Sequence, residues 1–188
     1  LKSIGTRTIE TARLILRRVR TEDAEDMFFG WASDDEVTKY MTWKSHLNIE
    51  ATKSYIDFVL KNLESEDVYE WIIEYKENGK AIGSCGAVGL DKTNEIASIG
   101  YCLSKKYWNK GIMSEAVNAV IRYLFDKAEV NRIEAAHHLD NPASGKVMQK
   151  CAMKYEGIKK HGMKDSSGSF SDVAVYAVIK SDWKKDKN

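Results

Sequence analysis

The chain has 188 residues, with 29 Lys and Arg against 28 Asp and Glu, a formal net charge of +1 and 43% hydrophobic residues. That length suits a single domain over 1–188, large enough to fold without staples. The balanced charge offers no global field for nucleic acid or an anionic membrane. No run approaches the ~20 apolar residues of a membrane span.

In chain order, Leu14–Arg17 reads as a first strand. Thr21-Glu22-Asp23 then starts a helix, with a capping hydroxyl and two carboxylates in the first turn and Ala24, Met27, Phe28 and Trp31 as its apolar face. Asn48 caps a second helix, with Ala51, Tyr55, Phe58, Val59 and Leu63 at helical spacing. Tyr69–Tyr75 is a strand by its aromatic and β-branched content, Glu77-Asn78-Gly79-Lys80 a hairpin turn, and Ala81–Leu90 the returning strand. The glycines of that strand, Gly83, Gly86 and Gly89, predict bulges or close backbone approach. Ile96–Leu103 is the next strand, followed by a long helix over Met113–Ala128 and a strand over Arg132–Leu139. Asn141-Pro142 opens a short helix whose buried face is Val147, Met148 and Cys151. Tyr155–His161 and Val173–Ile179 are two more strands, joined through a loop over Asp165–Ser169. The order β-α-α-β-β-β-α-β-α-β-β predicts an α/β sandwich around a mixed sheet, not an alternating doubly wound fold.

The cysteines, Cys85, Cys102 and Cys151, lie in apolar runs without C-x-x-C spacing. They read as buried free thiols in a reducing, cytoplasmic setting, with no disulfide framework and no metal. No secretory leader is expected. The histidines carry no metal spacing; His137 and His138, adjacent on a strand, face opposite sides of it.

The most informative stretch is Lys105–Ala116, K-K-Y-W-N-K-G-I-M-S-E-A, between a strand and a helix. The first amides of a helix lack partners inside it, and the aligned peptide dipoles put partial positive charge there. A glycine at that mouth, preceded by lysines, predicts a phosphate-bearing ligand at residues 109–114. The G-x-x-x-x-G-K-[ST] loop of nucleotide triphosphatases is not the explanation, because Lys106 stands where its first glycine belongs.

Several segments together resemble one family. They are T-A-R-L-I-L-R (Thr11–Arg17), D-D-E-V-T-K-Y (Asp34–Tyr40), I-G-Y-C-L (Ile99–Leu103), Y-W-N-K-G-I-M-S-E-A (Tyr107–Ala116), N-R-I-E-A (Asn131–Ala135), N-P-A-S (Asn141–Ser144) and D-V-A-V-Y (Asp172–Tyr176). In order and spacing, over about residues 10–183, they are similar to the GNAT superfamily of acyl-CoA-dependent N-acetyltransferases. Within it they resemble the branch of the ribosomal-protein alanine acetyltransferases. The resemblance implies a mostly antiparallel central sheet flanked by helices and acetyl-CoA as co-substrate. It also implies an amine acceptor, either a peptide N-terminus or a small molecule.

The family's acetyl-CoA loop falls on Trp108, Asn109, Lys110, Gly111, Ile112 and Met113, with Ser114 following. Trp108 stands for a polar residue and Met113 for a small one, so the Met113 side chain must turn into the core. By the same resemblance Cys102, Leu103 and Ser104 supply the strand end that pairs with the pantetheine arm. Asn141 contacts that arm, and Ser144 lies near the sulfur. Lys105, Lys106, Lys110 and Lys146 are candidates for charge attraction to the CoA phosphates.

The chemistry makes three demands. The acceptor amine, with a pKa near about 10 if lysine-like, must lose its proton. The oxyanion needs a fixed donor, for which the Leu103 amide is the candidate. The leaving thiolate is helped by a proton, for which Ser144 is the candidate. Many family members place a glutamate base where this chain has Ser98. Glu95, Glu70, His138 or a water are the alternatives. The departure at Ser98 also leaves open a non-catalytic acyl-CoA-binding module. Tyr40, Trp43 and Trp71 are candidates to line an acceptor pocket, with the protein core as the other reading. The oligomeric state is not legible, and a homodimer is kept as an expectation.

Overall fold

The computed structural model describes residues 1–185. The strands are β1 (Ile9–Glu10), β2 (Leu14–Arg17), β3 (Glu70–Tyr75), β4 (Lys80–Asp91), β5 (Ile96–Leu103), β6 (Arg132–His138), β7 (Lys154–Lys164) and β8 (Phe170–Ile179). The helices are α1 (Ala24–Met27), α2 (Asp35–Thr38), α3 (Ile49–Asn62), α4 (Ile112–Asp126), α5 (Pro142–Lys150) and α6 (Lys180–Lys185). The expected order is present, with β1, α2 and α6 as additions.

All strands join one sheet in the order β1-β2-β3-β4-β5-β6-β8-β7. Every neighbouring pair is antiparallel except β5 and β6. Each face buries its own core. On one side Ala116, Val117, Val120, Ile121, Leu124 and Phe125 of α4 pack on Leu14, Leu16, Trp71, Ile73, Ile99 and Ile133 of the sheet. On the other, Met27, Trp31, Val37, Ile56, Val59 and Leu63 cover Ile72, Ala81 and Cys102. Alternation along each strand divides these side chains between the faces.

The first helical region departs from the single helix expected. A 3-10 turn (Thr21–Asp23) leads into α1, and a π-helical turn (Phe28–Ala32) follows, where both the amide and the hydroxyl of Ser33 donate to the Phe28 carbonyl. Thr21 is not the cap; the Asp23 carboxylate accepts the Arg20 amide at 2.7 Å. Arg17 explains that choice. Its guanidinium forks onto Asp23 at 2.7 and 2.8 Å and reaches Glu74 at 2.5 Å, holding the carboxylate over the turn.

α3 is capped by Asn48 as expected. Its buried face is Thr52, Ile56 and Val59, while Phe58 and Tyr55 lean outward at 62% and 37% exposure. β7 and β8 run longer than their apolar patterns suggest, because pairing with β8 carries the exposed residues of β7 along. α6 anchors through Trp183, packed 6.0 Å from the Phe125 ring. The lysine-rich tail Lys184-Lys185-Asp186-Lys187 reads in the sequence as a solvated end; from Asp186 on it lies outside the described residues.

Candidate active site

β5 and β6 pair for three residues only, Ile96, Ala97 and Ser98 against Arg132, Ile133 and Glu134. Their ladder ends there, although β5 runs on to Leu103 and β6 to His138. The strands therefore diverge and open a split in the middle of the sheet.

The backbone of β5 presents itself to that split selectively. The Ser104 amide donates to Ile82 of β4 at 2.8 Å. Peptide groups alternate sides along a strand, so the Leu103 amide and carbonyl point away from β4, toward the split. The carbonyl confirms the direction, because it accepts the Trp108 indole N–H at 2.8 Å. Of the three residues expected to meet a pantetheine arm, Leu103 thus turns its polar backbone outward, while Cys102 and Ser104 turn theirs to β4. The close fit of β4 to β5 depends on Gly83, where an added Cβ would lie 2.3 Å from the Cys102 carbonyl oxygen.

Beyond Leu103 the chain makes a 3-10 turn (Lys105–Tyr107) and enters α4 through Gly111. Gly111 has φ of 72° and Asn109 φ of 59°, so the loop takes two left-handed steps around Lys110. No side chain caps Gly111. Met113 is buried in the core on α4, as its position in the loop requires. Arg13 braces the loop from β2's approach. Its guanidinium donates to the Lys110 carbonyl at 2.9 Å and to Glu115 at 2.7 Å. Glu115 also accepts the Arg13 amide at 2.9 Å and the Thr11 hydroxyl at 2.6 Å. Burial pushes the Glu115 carboxyl up, but these donors and the Arg13 charge outweigh it and hold the group below the usual carboxylate range. Among the lysines, Lys105 pairs with Glu36 and Lys110 sits over the Tyr107 ring, while Lys106 and Lys146 are exposed.

A cleft of about 860 Å³ occupies the split and reaches both faces of the sheet. Cys102, Asn141 and Ser144 line it; Leu103 and Ser104 do not, and Trp108–Ser114 stand outside its lining as an exposed element that turns inward at Ile112 and Met113. Asn141 caps α5 by accepting the Ser144 amide at 3.4 Å. The Ser144 hydroxyl lies 2.9 Å from the Tyr101 hydroxyl, which is also 2.9 Å from the Ser144 carbonyl. Burial drives the Tyr101 phenol well above its ordinary range, so it stays protonated. Tyr101 is absent from the candidates read in the sequence. Its only signal there is odd-numbered register with Ile99 and Leu103 on β5.

The candidate bases separate clearly. Glu95 is turned to the N-terminal ammonium at 3.1 Å and does not line the cleft. His138 lines it, with Nδ1 accepting the Asp140 amide at 3.1 Å and its ring 5.1 Å from Tyr40. Glu70 also lines it and accepts the Tyr55 hydroxyl at 3.0 Å. Burial raises the Glu70 pKa against that hydrogen bond. Tyr40 and Trp43 line the cleft, but Trp71 is core: it is fully buried on the α4 face, donates to Arg7 and packs on Tyr123. All three cysteines are free and buried. Among the described residues, no group of three or more His, Cys, Asp or Glu is placed to hold a metal, and no helix is long and apolar enough to cross a membrane.

A split sheet with an uncapped helix N-terminus beside it is the arrangement that the resemblance to GNAT acyltransferases requires. Residues 13–154 match the acetyltransferase (GNAT) domain family. The chain is 33% identical to the uncharacterized N-acetyltransferase p20 of Bacillus licheniformis, covering 94% of this chain and 98% of that one. It is 30% identical over 105 residues to the ribosomal-protein-serine acetyltransferase of Escherichia coli, covering 56% and 58%. Among solved structures it is similar to a GNAT-family acetyltransferase from Bacillus anthracis, at a TM-score of 0.80 and 26% identity over 93% of this chain and 99% of that one. The microcin C7 self-immunity acetyltransferase, solved with acetyl-CoA and AMP, shares the fold at a TM-score of 0.78 and 24% identity, over 90% and 93%. The chain belongs to the GNAT acetyltransferase family and is an N-acetyltransferase.

Proposed function

We propose that the protein transfers the acetyl group of acetyl-CoA to a primary amine, by direct attack of the amine on the thioester. The observation that carries this reading is the outward-facing Leu103 peptide group at the β5–β6 split, one short turn from the uncapped start of α4. A thioester arm laid along β5 meets a strand edge that β6 leaves unpaired beyond Ser98. Its pyrophosphate meets the first amides of α4, and the one at Gly111 shares its peptide with the Lys110 carbonyl that Arg13 holds.

In this reading Gly111, Ile112, Met113 and Ser114 bind phosphate through main-chain N–H groups, with Asn109 and Lys110 shaping the loop. Trp108 ties the loop to the strand end. The Leu103 amide stabilises charge on the reacting carbonyl oxygen. Asn141 positions the arm, and Ser144 delivers a proton to the departing sulfur, with Tyr101 holding and recharging it. The acceptor is a peptide N-terminus or a small amine. The free buried thiols support a reducing, cytoplasmic location. The 1–188 chain acting as one domain, and a homodimer as its assembly, complete the proposal; light scattering measures the latter.

The test is release of CoA thiol from acetyl-CoA across an amine panel that includes N-terminal peptides, beside calorimetric binding of acetyl-CoA. Turnover is expected. Tight acetyl-CoA binding with no thiol release from any amine would favour a non-catalytic acyl-CoA-binding module, which Ser98 in place of a glutamate makes the second reading.

A further inference from the structure

The geometry points to Glu70 as the group that receives the acceptor's nitrogen, and to a monocationic primary amine on an apolar or aromatic body as the acceptor class. This rests on the acetyl-transfer reading above and adds the identity of its second substrate.

The argument begins with register. Glu70 pairs with Gly86 on β4, and Gly86 pairs with Gly100 on β5. The three residues form one row across the sheet, facing the α1–α3 side. Neither residue between the carboxylate and the split has a side chain. An added Cβ would lie 2.4 Å from the Tyr69 carbonyl at Gly86 and 2.9 Å from the Val88 side chain at Gly100. The floor is therefore main chain at Gly86, with a Val88 methyl lying over Gly100. Two strand spacings make the row about 10 Å long. Leu103 lies three residues beyond Gly100 along β5, about another 10 Å, so an amine beside a carbonyl carbon held there reaches the carboxylate through water.

Charge then narrows the acceptor. Two carboxylates, Glu70 and Glu134, and one lysine, Lys159, line the cleft; Lys159 sits on β7, five strands from β3 in the sheet, and forms no ion pair with Glu70. Glu134 is paired with Arg132 at 2.7 Å. Glu70 forms no ion pair among the described residues; its partner is the neutral Tyr55 hydroxyl, whose own pKa burial raises. One uncompensated negative charge fits one ammonium. A polyamine or an amino-sugar antibiotic would bury further ammonium groups with no counter-charge, which is costly. The cleft walls carry aromatic rings: Tyr55 donates a hydrogen bond to Glu70, His46 lies 6.1 Å from Tyr55 and 5.7 Å from Trp43 with its own basicity lowered by burial, and Tyr40 lies 5.1 Å from His138. Such walls favour an apolar body and attract a single cation over their faces.

The proton balance is complete. The incoming R–NH3⁺ gives one proton to Glu70, which passes it to solvent, and the neutral nitrogen forms the N–C bond as the C–S bond breaks. The second nitrogen proton leaves through Glu70 to solvent, and the thiolate takes a proton from Ser144, which regains one from solvent through Tyr101. The sum is amide, CoA thiol and one proton.

The experiment measures kcat and KM for the intact protein with phenethylamine, with a peptide of apolar N-terminus and no lysine, with spermine and with kanamycin. The first two distinguish a free amine from a peptide source. At least one is expected to exceed both polycations in kcat/KM by roughly 10-fold or more. Glu70→Gln is expected to lower kcat/KM for that amine by about 100-fold or more, mostly in kcat, with acetyl-CoA Kd unchanged. Preference for spermine or kanamycin, or full activity of Glu70→Gln, overturns the inference while leaving acetyl transfer intact. Loss of acetyl-CoA binding in the wild type would instead overturn the acetyl-transfer reading itself. No amine turned over despite bound acetyl-CoA counts against both.

Discussion

The guanidinium of Arg13 grips the carbonyl of Lys110 at 2.9 Å, across 97 residues of sequence. In a trans peptide the N–H points opposite to the C=O. Fixing the Lys110 oxygen on Arg13 therefore aims the Gly111 N–H the other way, outward at the helix mouth. The same guanidinium neutralises Glu115, whose carboxylate would otherwise oppose an anion at the first turn of α4.

Arg13→Ala is accordingly expected to raise the Kd for acetyl-CoA by about 10- to 100-fold, the loss of one or two charge-assisted hydrogen bonds. Arg13→Lys should recover little, since one ammonium cannot span both acceptors. The discriminating measurement is acetyl-pantetheine, which lacks the pyrophosphate. If Arg13→Ala weakens acetyl-pantetheine as much as acetyl-CoA, the loop-aiming role is wrong.

Tyr101 and Ser144 should act as a unit. Tyr101→Phe and Ser144→Ala are each expected to lower kcat by about 10- to 100-fold with small changes in the acetyl-CoA KM. The double variant should lose little more than the worse single one. Fully additive losses in a double-mutant cycle would show two independent roles.

Two carboxylates, Glu115 behind the loop and Glu70 in the cleft, predict opposite pH signatures. Glu115 is held below its ordinary pKa of 4.5, so its share of stability is present above that pH and is lost as pH falls through the depressed value. Urea titrations of wild type and Glu115→Gln should converge on acidification. Glu70 is raised by burial, so its contribution is favourable at low pH and disappears as pH rises through the raised value. Glu70→Gln should therefore raise Tm slightly at pH 7 while depressing turnover. A lower Tm at pH 7 would contradict that environment.

Arg17 is 5% exposed and joins Asp23 and Glu74 in one network. Arg17→Met should destabilise by about 3 kcal/mol or more, because it strands a buried Asp23 charge and releases the turn before α1. Chemical denaturation measures it, and adding Asp23→Asn should recover part of the loss.

Much of this architecture is written locally. The apolar run Ile96–Leu103, the Gly111 break and the α4 pattern place a strand end against a helix start, and the buried Met113 follows from that junction. Asn48 and Asn141 cap the helices their neighbours announce. What stayed hidden depends on contacts distant in sequence. Tyr101 meets Ser144 across 43 residues, and Arg13 meets Glu115 across 102. Glu70 could be named as a candidate, but only the Glu70–Gly86–Gly100 register singles it out, and register between strands is set by loops and bulges that composition does not encode. Trp71 shows the converse. An aromatic on a strand belongs to the core or to a pocket according to which face it takes, and its partner Tyr123 lies on a helix far along the chain.

The short parallel ladder of Ile96–Ser98 with Arg132–Glu134 has a mechanical side. It makes the protein two half-sheets stitched along a three-rung seam, with a wedge above it. A molecule that fills the wedge and bonds to both lips lengthens the stitching. Occupancy and cohesion of the two halves must then rise together, so that the emptied protein is the one that comes apart most readily along this line.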